Sequence, residues 1–474
     1  MYKTVIGLEI HAELKTKTKA FCSCSAQFGA QPNTLCCPVC LGLPGAIPVM
    51  NSMAVELAIK AGFALGCKIN SFSVMDRKNY FYPDLPKAYQ ISQLYHPIAE
   101  NGVVEYECDG EICSVRINNI HIEEDAGKLI HSDDGKTLVD YNRCGIPLIE
   151  IVTEPDINTS AQAKAFIEEI ARRLRYADVC DCRMEQGSLR CDVNISLMKK
   201  EDTRLGQRAE IKNLNSIKSI GRAIEYEQQR QQSLLQNGQH VLPQTRRFDE
   251  QSGKTILMRE KENADDYRYF PEPDIININV SEEKIDKIKK SLPKMPFERY
   301  KEYTDILCLS KKDAAKLVSH KELSDYFENT VAQYNSPKSI SDFILTEVLK
   351  HINAGEFGVE SIPVSPKRLA DIIKLFDEEK ITNACAKELF SIMISSEKSA
   401  YELAQENGFI IEIDTQLVNE VVCCVIEQNS EVVAQYKSGQ TKVLGFLIGK
   451  CNSQLKGKAT PKLVKDVLEE MLKI

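Results

Sequence analysis

Gly7-Leu8-Glu9-Ile10-His11-Ala12-Glu13-Leu14 alternates apolar and polar residues without a break. On a strand, Leu8, Ile10, Ala12 and Leu14 point to one face and Glu9, His11 and Glu13 to the other. Same-face neighbours along a strand stand about 7 Å apart. Two carboxylates and an imidazole at that spacing suit a hard divalent cation with mixed oxygen and nitrogen ligands. Taken alone, the pattern fits an edge strand with a solvated polar face better than it fits a site. Its recurrence downstream favours a site.

Ser188-Leu-Arg190-Cys-Asp192-Val-Asn194-Ile-Ser196 alternates in the same way, and Arg208-Ala-Glu210-Ile-Lys212 repeats the device. Arginine and lysine on one sheet face can hold phosphate oxygens, and aspartate and glutamate can hold the metal that bridges them. His121-Ile-Glu123-Glu124-Asp125 ends a further strand in acid, and Glu150 sits alone in the apolar run Pro147 to Val152. A carboxylate in such a run must be paired, neutral or metal-bound. Lys78 to Gln90 and Asp265 to Asp274 combine aromatics, prolines and charges, and read as loops that stack on a base or sugar. A well-packed loop would read the same.

The chain has 474 residues, enough for about three domains, and its 43% hydrophobic content is that of a globular protein. A net charge of −8 excludes a wholly basic nucleic-acid binder, so any such contact is local. No signal-peptide pattern and no apolar run of about 20 residues is present, which predicts a cytoplasmic protein with no membrane span. Strand-like alternation dominates up to residue 292. From about 296 onward, three- and four-residue spacing predicts helices over 313–334, 339–352, 366–378 and 415–436. Pro293, Pro296 and the Lys-rich run 284–294 between them read as a hinge. Residues 437–474 carry eight lysines against Asp466, Glu469 and Glu470, a balance of +5. A solvated face explains such a run, and so does contact with a phosphate backbone.

Seventeen cysteines without a secretory signal read as reduced thiols. Cys22-Ser-Cys24 and Cys37-Pro-Val-Cys40, twelve residues apart, have the spacing of a tetrahedral structural zinc site, with Cys36 as a competing ligand. Four thiolates leave no open position, so such a zinc would hold a loop and would not act on substrate. Gly135-Lys-Thr and Gly253-Lys-Thr resemble the end of a P-loop, but Ile130 and Phe248 stand where its first glycine belongs. Nucleotide binding would therefore use an open antiparallel sheet with cations and metal.

Gly7 to Leu14, Cys37 to Gly45, Lys78 to Pro83, His121 to Lys128, Asn142 to Glu150, Met184 to Ser196, Glu210 to Ser216 and Asp266 to Asp274, in that order, resemble the GatB/GatE family, the B subunits of the bacterial aspartyl/glutamyl-tRNA(Asn/Gln) amidotransferases. The resemblance extends through the helical half and the Gly457-Lys-Ala element. It implies an α+β fold: a glutamine-synthetase-like antiparallel-sheet cradle domain over 1–292, an all-α helical domain over 293–405, and a YqeY-like tail over 406–474. It implies that ATP phosphorylates the side-chain carboxylate of glutamate or aspartate mischarged on tRNA, and that ammonia then displaces the phosphate.

Under this resemblance Glu9, His11, Glu124 and Glu150 ligate or orient Mg2+, with Glu123 as the alternative to Glu124 by strand parity. Arg190, Asp192, Glu210 and Lys212 face the phosphates or a second metal. Ammonia would come from an amidase (glutaminase) subunit, strapped to this chain by a small third subunit. The tail would grip tRNA, with Lys450, Lys456 and Lys458 as contacts, although Lys450 to Lys456 departs from the family pattern. Cys22, Cys24, Cys37 and Cys40 agree with the zinc-bearing branch of the family. The competing reading is a non-catalytic tRNA-binding scaffold with a structural zinc. A free-standing ATP-dependent ligase would leave the helical tail without a role.

Overall fold

A computed structural model describes residues 2–132, 134–202, 204–260, 267–411, 415–437, 443–455, 459 and 461–472. The chain divides into two compact units, Met1–Glu298 and Arg299–Ile474. It is a mixed-sheet and helix protein, α+β in class, with a helical C-terminal region.

The first unit is built on a nine-stranded sheet. Its order is Lys254–Glu260, Gln244–Asp249, Ala209–Lys212, Leu189–Lys199, Tyr2–Glu13, Pro147–Thr153, Glu111–Glu124, Ala99–Cys108 and Lys68–Ile69. Neighbours run antiparallel except Ala209–Lys212 beside Gln244–Asp249. The opening strand is thus no edge. It is paired with Pro147–Thr153 on one side and with Leu189–Lys199 on the other.

Alternation sorts the two faces. Leu8, Ile10 and Ala12 join Ile120, Ile122, Ile149, Ile151, Val193 and Ile195 in one apolar core. Three helices close over that side: α1 (Ser52–Ala64), α2 (Ser160–Tyr176) and α3 (Ile217–Gln236). They supply Leu57 and Ala61, Phe166 and Ile170, and Ile220 and Ile224 to the same core. Asn51, Thr159 and Ser216 cap the helices, each side chain accepting a backbone N–H of its first turn. Each large aliphatic side chain removed from water contributes about 1.5–3 kcal/mol. With the apolar residues committed to this face, the opposite face keeps the polar ones.

Of the Lys-rich run expected as a hinge, the part up to Lys290 is a helix, Glu282–Lys290, capped by Ser281, and residues 291–295 are irregular. Its Ile288 is buried in the sheet core. The helix's lysines lie on its outer side, and Ile285 packs beside Ile288 to dock it.

The second unit is helical. The predicted helix over 313–334 is two helices, Lys311–Leu317 and Lys321–Gln333. The one over 339–352 starts at Pro337 and passes through a π-helical turn at Ile344–Val348 before ending at Asn353. Apolar residues form one core from Tyr303 to Ala404 and another from Val418 to Leu472. Among the described residues, no helix is long and apolar enough to cross a membrane.

Fully buried Glu227 ties α3 to the far edge of the sheet. It accepts from Arg230 at 2.6 Å and Thr255 at 2.8 Å, and lies 3.5 Å from Arg246. Removing one member of a buried charge network strands its partners. Glu227→Ala is expected to lower stability by about 3 kcal/mol in urea unfolding. A loss under about 0.5 kcal/mol would show the network to be dispensable.

Candidate active site

The register brings distant residues onto one polar face. His11 lies opposite Glu150 on one side and Arg190 on the other, and Glu150 in turn lies opposite His121. Glu9 lies opposite Asp192, and Asn194 opposite Glu210. The polar positions of five neighbouring strands, spanning residues 9 to 212, therefore form one continuous surface.

On it are two metal-capable groups. His11, Glu123 and Glu150 form one; Glu9, Asp192 and Glu210 form the other. Within each, the three candidate donor atoms lie within 4.8 Å of one another. His11 Nε2 is 3.5 Å from Glu123 Oε1 and 3.5 Å from Glu150 Oε2. Opposite ligands of an octahedral magnesium stand about 4.2 Å apart, so small side-chain shifts would close either group on a cation. Asn194 donates to Glu9 at 2.8 Å, while its own buried Oδ1 has no hydrogen-bond partner among the described residues. A spare oxygen beside three carboxylates fits a hard cation.

The expected grouping of Glu9, His11, Glu124 and Glu150 is corrected in two respects. Glu9 sits with Asp192 and Glu210 because it is two strand positions from His11, about 7 Å away along the chain. Glu124 is on the opposite face from Glu123, as adjacent strand residues must be. It accepts from Lys87 Nζ at 2.5 and 2.6 Å and from the Ile91 amide at 3.0 Å, and lines a separate small cavity with Lys19 and Cys40. Glu123, the alternative by parity, is the one beside His11 and Glu150. From sequence alone His121 receives no role; its two-residue spacing from Glu123 is the signal that puts both on one face. Its Nε2 is 3.3 Å from Glu150.

Electrostatics separates the carboxylates. Burial works against charge on Glu150, yet His121 and His11 outweigh it and hold this carboxyl well below its ordinary range. His121 is pushed up to about 9: burial opposes its charge, and Glu150 overcomes burial. Burial raises Glu123 and Glu9, and Glu150 raises both further. A cation entering the first group would compete with protons on these side chains. In the second group Lys212 already supplies positive charge, donating to Asp192 at 2.6 Å and lying 3.0 Å from Glu210.

Arg190 turns toward Asp125, at 2.8 Å, and with Glu13 and Arg143 borders a cavity of about 760 Å³ walled by Ile146, Leu189 and Met184. Glu13 rises to about 7, chiefly through burial and then through Asp125. Of the tail lysines, Lys450 is on the helix Leu444–Leu455, its ammonium 5.7 Å from the centre of the Phe446 ring. Lys456 and Lys458 lie outside the described residues.

Away from this face, Cys22, Cys24, Cys37 and Cys40 bring four sulfurs within 4.8 Å of one another. Cys22–Cys40 and Cys37–Cys40 are 3.5 and 3.7 Å apart. Tetrahedral zinc with 2.3 Å bonds sets sulfurs about 3.8 Å apart, so the set fits. Cys36 turns away to Asn142 at 3.8 Å. Fully buried Lys19 donates to Cys40 at 3.4 Å, which offsets the negative charge of clustered thiolates. Cobalt substitution followed by its thiolate absorption is expected to give one tetrahedral site per chain. Cys37→Ser is expected to lose it and Cys36→Ser to keep it; the reverse outcome would exchange the two ligands.

Residues 4–286 match the family model described as the GatB/GatE catalytic domain, and residues 325–472 match one described as a GatB domain. The chain is 48% identical over 473 residues to the aspartyl/glutamyl-tRNA(Asn/Gln) amidotransferase B subunit of Ruminiclostridium cellulolyticum, covering 99% of this chain and 97% of that one. It is 46% identical over 474 residues to the B subunit numbered 2 of Clostridium acetobutylicum, and 44% over 472 residues to the B subunit of Brevibacillus brevis, with 99% of each chain covered in both cases. With both halves matched and relatives aligned end to end, the chain belongs to the GatB family.

Proposed function

We propose that this chain is the kinase and transamidase subunit of an aspartyl/glutamyl-tRNA amidotransferase. The observation that carries the reading is the pair of metal-capable groups on one sheet face, in a chain matched end to end by relatives bearing that name. The sheet unit would be the glutamine-synthetase-like cradle, and the core from Val418 onward the YqeY-like tail.

A carboxylate is a poor electrophile and needs activation. In this reading the side-chain carboxylate of Glu or Asp on mischarged tRNA attacks the γ-phosphorus of ATP, and ADP leaves. Ammonia then attacks the acyl carbon, inorganic phosphate leaves, and a proton is lost to give the amide. Magnesium, held by His11, Glu123 and Glu150 with Glu9, Asp192 and Glu210 for a second ion, would neutralise phosphate charge. His121, with Nε2 3.3 Å from Glu150, would orient that carboxylate. Lys212 holds Asp192 and Glu210 in place and is positioned to meet phosphate oxygens. The cavity beside Arg190 and Glu13, part apolar and lined by charges of both signs, suits the aminoacyl end of the tRNA. Ammonia would arrive from a glutaminase partner, with a third, small subunit to complete the complex.

The test is single-turnover ADP formation by the assembled complex with mischarged tRNA. Glu9→Ala, His11→Ala and Glu123→Gln are each expected to lose about 100-fold or more, equivalent to about 2.7 kcal/mol of transition-state stabilisation. Melting curves in parallel separate this from misfolding. Full tRNA-dependent turnover in folded Glu9→Ala and His11→Ala would leave the scaffold reading standing.

Neutralising Lys450, Lys456 and Lys458 together is expected to weaken tRNA binding and flatten its logarithmic salt dependence by about 2. An unchanged slope would remove the tail lysines from the interface.

A further inference from the structure

Lys78 and Arg77 are adjacent cations with opposite fates. Their strand, Asp76–Asn79, pairs with Tyr89–Ser92 and Phe270–Pro271 in a small three-stranded sheet. Arg77 is fully engaged. It donates to Glu272 through two nitrogens, at 2.6 and 2.8 Å, and to Asp274 at 3.1 Å, and its guanidinium lies 4.3 Å from the centre of the Tyr89 ring. This is how a structural cation behaves. It also pins the register, so Lys78 must point to the other side.

There Lys78 meets rings instead of carboxylates. Its ammonium is 5.1 Å from the centre of Tyr267 and 5.8 Å from that of Tyr80, and those two rings pack edge to face at 5.8 Å. Among the described residues no carboxylate oxygen lies within 4 Å of it, and its ammonium makes no hydrogen bond. Burial opposes its charge, while Tyr269 and then Glu123 and Glu150 act on it through space and keep it protonated. Those two carboxylates belong to the His11 group. A half-buried ammonium whose donor positions are open among the described residues, braced by rings beside a metal-capable group, is poised for an incoming anion.

We propose that Lys78 is a catalytic cation of the phosphoryl transfer, holding a γ-phosphate oxygen beside the His11, Glu123 and Glu150 group. The assignment rests on the proposed kinase reading and adds a residue to it. Phosphoryl transfer spreads charge over three equatorial oxygens, and one metal group cannot meet all of them. Tyr80 and Tyr267 keep the ammonium from collapsing onto Glu123 or Glu150 before ATP arrives. ADP has no γ-phosphate and so gains nothing from Lys78.

The experiment uses the assembled complex with mischarged tRNA and two probes, ADP and the β,γ-imido analogue of ATP. Lys78→Met keeps the apolar stem and removes the charge. It is expected to slow single-turnover ADP formation by about 100-fold, to leave ADP affinity within about threefold, and to abolish the preference for the imido triphosphate over ADP. Lys78→Arg restores that preference, and propylammonium added to Lys78→Ala recovers part of the rate. These last two arms decide the matter even where Lys78→Met folds poorly, because a structural role predicts neither recovery. Turnover in Lys78→Met within about threefold of wild type, or an unchanged triphosphate preference, would overturn the assignment. Absence of tRNA-dependent ADP formation in the wild-type complex would overturn the kinase reading instead.

Discussion

Pairing of the Tyr2–Glu13 strand on both of its sides is the constraint on which the rest of this protein depends. An edge strand could slip, because only one neighbour would fix its register. A central one cannot, since a one-residue shift would turn Leu8, Ile10 and Ala12 out of the core and Glu9 and His11 into it. Placing a charged carboxylate in that core without a partner costs several kcal/mol. The helix-covered face therefore sets the polar face. The metal-capable groups exist because the apolar groups have nowhere else to go.

The same constraint explains how so many like charges tolerate proximity. Glu9, Glu123, Glu150, Asp192 and Glu210 share a surface with His11, His121 and Lys212. Glu150 lies within 3.5 Å of both histidines and holds its negative charge, while burial and its neighbours raise Glu123 and Glu9. Such splitting of carboxylates by environment marks functional sites more often than structural ones. The zinc-capable cysteines follow a different logic. Their donors are all sulfurs, a tetrahedral ion would leave no open coordination position, and buried Lys19 would offset thiolate charge. In the proposed reading one cluster would receive an anionic substrate and the other would hold a loop.

Much of this was legible from residues in order. Alternation over 7–14 and 188–197 marked strands, assigned their faces and placed Glu9, His11, Asp192 and Asn194 on polar sides. Cysteine spacing picked out the four sulfurs that converge, because a short loop between two close pairs leaves them few other arrangements. Parity showed that Glu123 and Glu124 could not both belong to the site. It could not say which one did, because that depends on which face of the Glu111–Glu124 strand meets the helices. The Lys284–Lys294 run shows a related limit: its first part is a helix docked by Ile288 and Ile285, whose remaining positions look like a linker.

What the sequence by itself determined is local: which segments alternate, which residues share a face of a strand, where helices begin, and which thiols lie close along the chain. These follow from backbone geometry and from side chains a few positions apart. Only the tertiary structure decided that the opening strand is central, that Glu9 joins Asp192 and Glu210 while His11 joins Glu123 and Glu150, and that Lys78 points at the site while Arg77 does not. Those outcomes depend on pairing between residues that lie far apart in the chain, 185 positions for Asn194 and Glu9 and 195 for Arg77 and Glu272. Such pairing is set by the best burial of the whole sheet, which no single segment encodes.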